Sequence, residues 1–234
     1  MSVWQHITAS PLFALGLTLA AYSLAFRVCQ LRPSWPLANL VLWSVALVMS
    51  VLVLLDIPYP QYFEGAYSLH MLLGPATVAL AVPLFSQLAT LKKAWLPIMV
   101  AVMGGSLIGI FSTVMIAKAL GADADTVMAL SLKSITTPIA MAVSETMGGS
   151  PSLTAAMVII TGVSGASLCS VIFMAFRIND DRVRGISVGV TSHGIGTARA
   201  LQINQTAGAF SGLAMALTGV FTAVMMPWLG PLLF

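Results

Sequence analysis

Six stretches of this chain carry no charged side chain: residues 1–26, 33–55, 65–91, 94–117, 146–176 and 200–234. Each is long enough to supply the roughly 20 apolar residues that cross a bilayer as a helix, so the pattern predicts six spanning helices. Two further charge-free stretches, 134–144 and 185–198, are too short to span and are rich in Gly, Ser, Thr and Pro. Irregular backbone at membrane depth is tolerable only against protein or a polar cavity, so these two predict broken helices or re-entrant hairpins. Pro75 and Pro83 each remove a helical hydrogen bond from the third apolar run and predict a kink there. Small residues at helical spacing, Gly104, Gly105 and Gly109, then Gly162, Gly165 and Ala166, predict close helix packing.

Composition sharpens this into a class. With 59% hydrophobic and 7% charged residues the chain is far from the roughly 25% charged usage of soluble domains, which excludes a soluble enzyme. The net charge of +3 is a topology signal, because no basic stripe interleaved with aromatics is present to meet nucleic acid. If both short segments are re-entrant, Arg27, Arg32, Lys92, Lys93, Arg177, Arg182 and Arg184 fall on one face against Lys118 on the other. If both cross, the bias disappears. The positive-inside rule therefore places those loops in the cytoplasm and both termini outside. Segment 126–150 then dips in from outside and 185–204 from the cytoplasm, each followed by a full span. The expected fold is an all-α polytopic membrane protein with two oppositely oriented hairpin-plus-helix units, an inverted repeat of the kind secondary transporters use. Residues 1–125 would form a scaffold of four spans and 126–234 a transport core.

No basic residue precedes the first apolar run, and Arg27 and Arg32 follow it, which suits a retained helix better than a cleaved signal. Cys29 and Cys169 read as small buried hydrophobes. Phosphate loops, dinucleotide fingerprints, nucleophile elbows and metal-ligand clusters are missing from the sequence, so neither enzymatic chemistry nor a cofactor or metal is expected.

The two short segments hold the candidate chemistry. In KSITTPIAMAV, residues 133–143, Lys133 offers a positive charge and Ser134, Thr136 and Thr137 offer hydroxyls. Pro138 suits the first turn of a helix whose N–H groups would face an anion. In TSHGIGTARA, residues 191–200, Gly194 and Gly196 permit close backbone approach, Ser192 and Thr197 add donors, and Arg199 matches a carboxylate with parallel hydrogen bonds. Each residue also has a structural reading: Lys133 snorkelling to the interface, Thr137 as a helix cap, Arg199 paired with Glu145. An unperturbed histidine has a pKa of about 6.5, so His193, with Glu145, is a candidate for proton coupling.

These two motifs, together with QTAGAFSGLAMALTG at 205–219 and YFEGAYSLHMLLGPATVALAVPL at 62–84, resemble the LrgB/CidB family over nearly the whole chain. The resemblance implies a multispanning protein of the bacterial inner membrane, a small LrgA/CidA-type membrane partner, and relatives that carry glycolate, glycerate or pyruvate. It equally implies relatives described as antiholin-like modulators of murein hydrolases and autolysis. A carrier of small monocarboxylates, homo-oligomeric and elevator-like, is the leading expectation; the regulator is the alternative.

Overall fold

The computed structural model of the chain describes residue 8, residues 10–31, 39–72, 75, 85 and 88–234. Arg32, Pro83 and much of the interval 65–91 lie outside the described residues. The described chain is helical, with no strand, and it divides into two compact units, Met1–Ala79 and Leu80–Phe234.

In the first unit α1 (Pro11–Leu31) and α2 (Leu40–Leu54) share a small core of Ala21, Val48, Leu52 and the following Ile57, against which Tyr62 of α3 (Tyr59–Met71) packs. Asn39 starts α2 by accepting from the Val41 and Leu42 amides at 2.9 and 3.1 Å. Gly65 lets α3 approach α1: a Cβ built there would lie 2.8 Å from the Ala14 Cβ. Where two helices of lipid-like composition meet, dispersion and backbone proximity hold them, because lipid offers apolar side chains an equally apolar surrounding.

The second unit contains α4 (Leu88–Lys93), α5 (Trp95–Ala119), α6 (Ala124–Ser131), α7 (Thr137–Thr146), α8 (Pro151–Ala175), α9 (Asp181–Ile203) and α10 (Gln205–Leu233). Four described helices are long and apolar enough to cross a membrane, α1, α5, α8 and α10, and α2 is a shorter apolar helix. Large exposed side chains such as Ile108, Met115, Val220 and Val224 suit the lipid that would surround α5 and α10. The protein is a multi-pass membrane protein.

Three buried clusters fix helix direction. Ile98 and Val102 near the start of α5 pack with Phe210 and Ala214 near the start of α10, while Val114 and Ala117 near its end join Met226 and Leu233. These two helices run the same way. The α8 helix runs against them, since Val158 sits with Met226 while Cys169 and Phe173 pack on Ala207.

Between these long helices the chain reverses twice. Straight, the 23 residues of α9 would extend about 34 Å, yet Asn204 at its end donates from Nδ2 to Asp181 Oδ2 at its start, 2.7 Å away. The reversal lies at His193, whose φ of 40° and ψ of −133° break the helix into two arms. The first arm reaches α10 through glycines: a Cβ on Gly185 would meet the Ala207 carbonyl oxygen at 2.4 Å, and one on Gly189 the Ser211 oxygen at 2.3 Å. The earlier reversal joins α6 to α7 through residues 132–136. Gly149, beyond α7, lies against Met128 of α6, so the chain leaves this fold at the end where it entered. One fold hangs from the start of α8 and the other from its end.

Caps make the reversals affordable by pairing helix-end amides. Asp123 accepts from Thr126 N at 2.7 Å, Asp180 from Arg182 N at 2.9 Å and Asn204 from Ala207 N at 2.8 Å. At the base of the second fold Arg182 pairs with Asp180 at 2.5 Å and Arg184 with Asp181 at 3.1 Å. The Arg182 hydrogen bonds hold the Asp180 carboxyl down at about 2.

Gly162 and Gly165 perform the packing role expected of them, accommodating His193 and Ser192, whereas Gly104 and Gly109 have no atom within 4 Å of a built Cβ. Gly189→Ala is accordingly expected to destabilise the protein by about 1–3 kcal/mol through overpacking against backbone. Gly104→Ala is expected to be neutral or stabilising by up to about 1 kcal/mol. Thermal unfolding in detergent, run on both variants and the parent, checks the pair. In a cysteine-less background, cysteines replacing Leu120 and Ser152 are expected to react from the same side of the membrane and one replacing Phe176 from the other; labelling of Leu120→Cys and Ser152→Cys from opposite sides would contradict the described chain path.

Candidate functional site

Both reversals end at one small cavity of about 130 Å³ inside the second unit. It lies against the middle turns of the long helices: Ser106 and Gly109 of α5, Thr161 of α8, and Thr218 and Thr222 of α10. The first fold contributes Ser131, Lys133, Ser134 and Ile135, and the second contributes Val190 and Thr191. Five segments therefore converge on a space too small for a large ligand.

The polar groups there differ in what they can still offer. Ser106 Oγ donates to the Val102 carbonyl at 2.6 Å, Ser131 Oγ to Met128 at 2.6 Å and Thr191 Oγ1 to Ser187 at 2.8 Å. Each hydroxyl proton is thus committed to its own helix, and the oxygens are left with accepting capacity. Thr218 is different. It is 1% exposed, and its Oγ1 is the buried side-chain polar atom left without a hydrogen-bond partner among the described residues. A buried hydroxyl without a partner costs about 1–3 kcal/mol, and Thr218 is one of the residues in the cavity wall.

Lys133 supplies the charge. Its chain position follows from the break between α6 and α7, which frees the side chain from a lipid-facing helix and turns it inward, where Nζ donates to Thr113 Oγ1 of α5. Among the described residues no carboxylate lines the cavity. Among the described residues no three His, Cys, Asp or Glu side chains gather as a metal site.

Of the residues singled out in the sequence, Lys133 and Ser134 line the cavity. Thr136 and Thr137 lie just beyond it, at the cap and first position of α7, with Pro138 in the first turn. Glu145 is exposed near the end of α7. Ser192 and His193 are buried at the tip of the second fold, Ser192 against Gly165 and His193 with Nε2 3.0 Å from the Val158 carbonyl oxygen. Gly194 is exposed, while Gly196 is buried against Ser192 and Val188 of the opposite arm. Thr197 locks that arm to α10: its Oγ1 is 2.9 Å from both the His193 oxygen and Ser211 Oγ. Arg199 stands away from the cavity, half-buried, bonded to Gln202 Oε1 at 3.0 Å and Ser170 Oγ at 3.5 Å. The structure thus brings one of the two cations to the cavity.

Ser106, Thr113, Thr161, Thr191, Thr218 and Thr222 were not singled out by the sequence reading. Ser106, Thr161, Thr218 and Thr222 are isolated hydroxyls in apolar runs, whereas Thr113 follows Ser112 and Thr191 precedes Ser192. Their spacing carried a signal: Thr218 and Thr222 are four apart, and Ser106 and Thr113 are seven apart, so each pair shares a helix face.

The LrgB-like family model matches residues 18–232. Similar proteins include the uncharacterized protein YwbG of Bacillus subtilis (strain 168), 37% identical over 216 residues that cover 92% of this chain and 96% of that protein. The uncharacterized protein YxaC of the same strain is 36% identical over 91% of this chain and 94% of its own. The antiholin-like protein LrgB of Bacillus cereus (strain B4264) is 28% identical over 96% of this chain and 97% of its own. No solved structure matches. With nearly its full length matched and the motifs of both reversals inside that match, the chain belongs to the LrgB-like family.

Proposed function

We propose that this protein is a secondary carrier of small monocarboxylates such as glycolate, glycerate or pyruvate in the bacterial inner membrane. The observation that carries the reading is the cavity at mid-helix level, lined by residues of both chain reversals, with Lys133 as the cation among the described lining residues and with Thr218, whose hydroxyl has no described partner, in its wall. A carboxylate accepts from both groups. Its α-hydroxyl then donates to one of the back-bonded oxygens of Ser106, Ser131 or Thr191, which suits hydroxy acids better than keto acids.

In this reading the two reversals are re-entrant, dipping from opposite faces, and the two hairpin-plus-helix units form an inverted repeat. Residues 126–234 act as the transport core and residues 1–125 as scaffold, with α5 supplying the wall that the core slides along. Both termini lie outside, and an LrgA/CidA-type small membrane protein and further copies of the chain complete the assembly.

The name carried by the Bacillus cereus relative favours a second reading, an antiholin-like regulator of murein hydrolases without a transport cycle. A regulator acts through its outer surfaces and has no use for a lone, part-buried cation in a cavity wall. Uptake of labelled glycolate, glycerate, pyruvate and lactate into proteoliposomes, with and without an LrgA-type partner, separates the two. Saturable uptake supports the carrier, and its absence from folded, correctly inserted protein leaves the regulator.

For the carrier, Lys133→Gln is expected to weaken apparent affinity at least about thirtyfold, the effect of removing one member of a buried charge pair. Thr218→Val is expected to weaken it about fivefold, one neutral hydrogen bond's worth. Arg199→Gln, outside the cavity, is expected to stay within about twofold of the parent. Concentration series of uptake at matched protein incorporation check all three, and a collapse in Arg199→Gln alone would return the clamp to that residue. Glycolate and lactate are expected to bind about five to ten times more tightly than glyoxylate and pyruvate, a preference that competition against one labelled acid reads directly.

A further inference from the structure

Among the described residues, Lys133 is the only titratable group lining the cavity. The ionisable groups of the elements packed around it are all engaged or turned elsewhere. Lys118 of α5, Asp125 of α6 and Glu145 of α7 are exposed. On α9, Asp181 pairs with Arg184 and Arg182 with Asp180 at the base, Arg199 bonds Gln202 and Ser170, and His193 is held on the Val158 carbonyl. The α8 and α10 helices carry no Asp, Glu, Lys, Arg or His.

An ammonium in such a place has two ways to avoid standing as an uncompensated charge: an anion beside it, or loss of its proton. Its one described hydrogen-bond partner, Thr113 Oγ1, is neutral and can accept from an ammonium or donate to an amine. That partner serves both states without moving.

We infer that Lys133 is the coupling group as well as the anion's partner, so that one proton travels with each monocarboxylate. The inference rests on the carrier reading above. The loaded site holds R–COO⁻ beside Lys–NH₃⁺ and is neutral overall. On release the carboxylate leaves, the ammonium gives its proton to the aqueous side that receives the anion, and Lys–NH₂ remains on Thr113. Empty and loaded sites then both cross without net charge. The proton-coupling role expected of His193 and Glu145 passes to a residue that touches the ligand.

The test uses the full chain in proteoliposomes with glycolate, glycerate, lactate and pyruvate as labelled probes, and compares the parent with Lys133→Arg. Arginine keeps the positive charge and does not release its proton in this pH range. In the parent, an inward proton gradient is expected to drive accumulation, and imposed membrane potential is expected to have no effect. In Lys133→Arg, accumulation driven by the proton gradient, divided by the rate of exchange of labelled for unlabelled anion in the same variant, is expected to fall at least tenfold from the parent ratio. Gradient-driven accumulation that survives in a folded Lys133→Arg would overturn the coupling role and leave the binding site standing. If Lys133→Arg does not fold, the parent alone decides: opposing proton and substrate gradients that cancel at one proton per anion support the role, and potential-dependent flux or accumulation following a sodium gradient refutes it. A parent that neither exchanges nor accumulates any of the four probes sinks the carrier reading itself, and the coupling with it.

Discussion

Two reversals of the chain have to be tucked among long apolar helices without stranding backbone amides and carbonyls, and the rest of the second unit depends on how that is done. In hydrocarbon each unpaired backbone group is costly, so a reversal survives only with caps at its ends and protein against its sides. Asp123, Asp180 and Asn204 supply caps. Gly185, Gly189 and Gly208 let backbone and neighbouring atoms meet at distances a side chain would forbid. At the second tip His193 takes a backbone conformation that is strained for any residue with a Cβ, at a cost of about 1–3 kcal/mol. Its ring seated over Gly162 and its contact with the Val158 carbonyl offset that strain.

The polar cavity is a by-product of the same geometry. Neither reversal fills the middle of the bundle, so space remains where α5, α8 and α10 would otherwise pack directly, and the residues bordering it keep their polarity. Back-bonded Ser106, Ser131 and Thr191 are satisfied within their own helices, which sets Lys133 and Thr218 apart. In the proposed carrier, recognition is thereby concentrated in two side chains from elements far apart in sequence.

Much of this was legible in the chain. The charge-free intervals located α1, α5, α8 and α10, because a helix in lipid must be long and apolar along its whole length. The short segments around residues 133 and 193 were visible as places where that rule lapses, and the break in α9 falls inside the one predicted. Lys133 and Ser134 were legible as cavity residues because a cation amid hydroxyls has few tolerable locations. The location of Arg199 was not legible. One helical arm separates it from the tip, and only the fold of α9 decides which of its residues reach the centre and which return towards the base. The hydroxyls of α5, α8 and α10 were hidden for a different reason: a single Ser or Thr is cheap in a membrane helix, so its presence alone says little until a third dimension shows which ones face each other.

Asn204 caps α10 through its side-chain oxygen and holds the start of α9 through its side-chain nitrogen. One amide therefore welds the returning arm, the outgoing arm and the following helix at a single point. The economy has a price for the repertoire of the fold. Aspartate would keep the cap and lose the donor to Asp181, setting two carboxylates against each other, and serine would be too short to reach both. By contrast the cavity hydroxyls project singly from separate helices, each exchangeable without disturbing that weld. Sequence drift in such an architecture can change the lining of the cavity far more freely than it can reshape the loop that builds it, so cavity chemistry and foldability are governed by different residues.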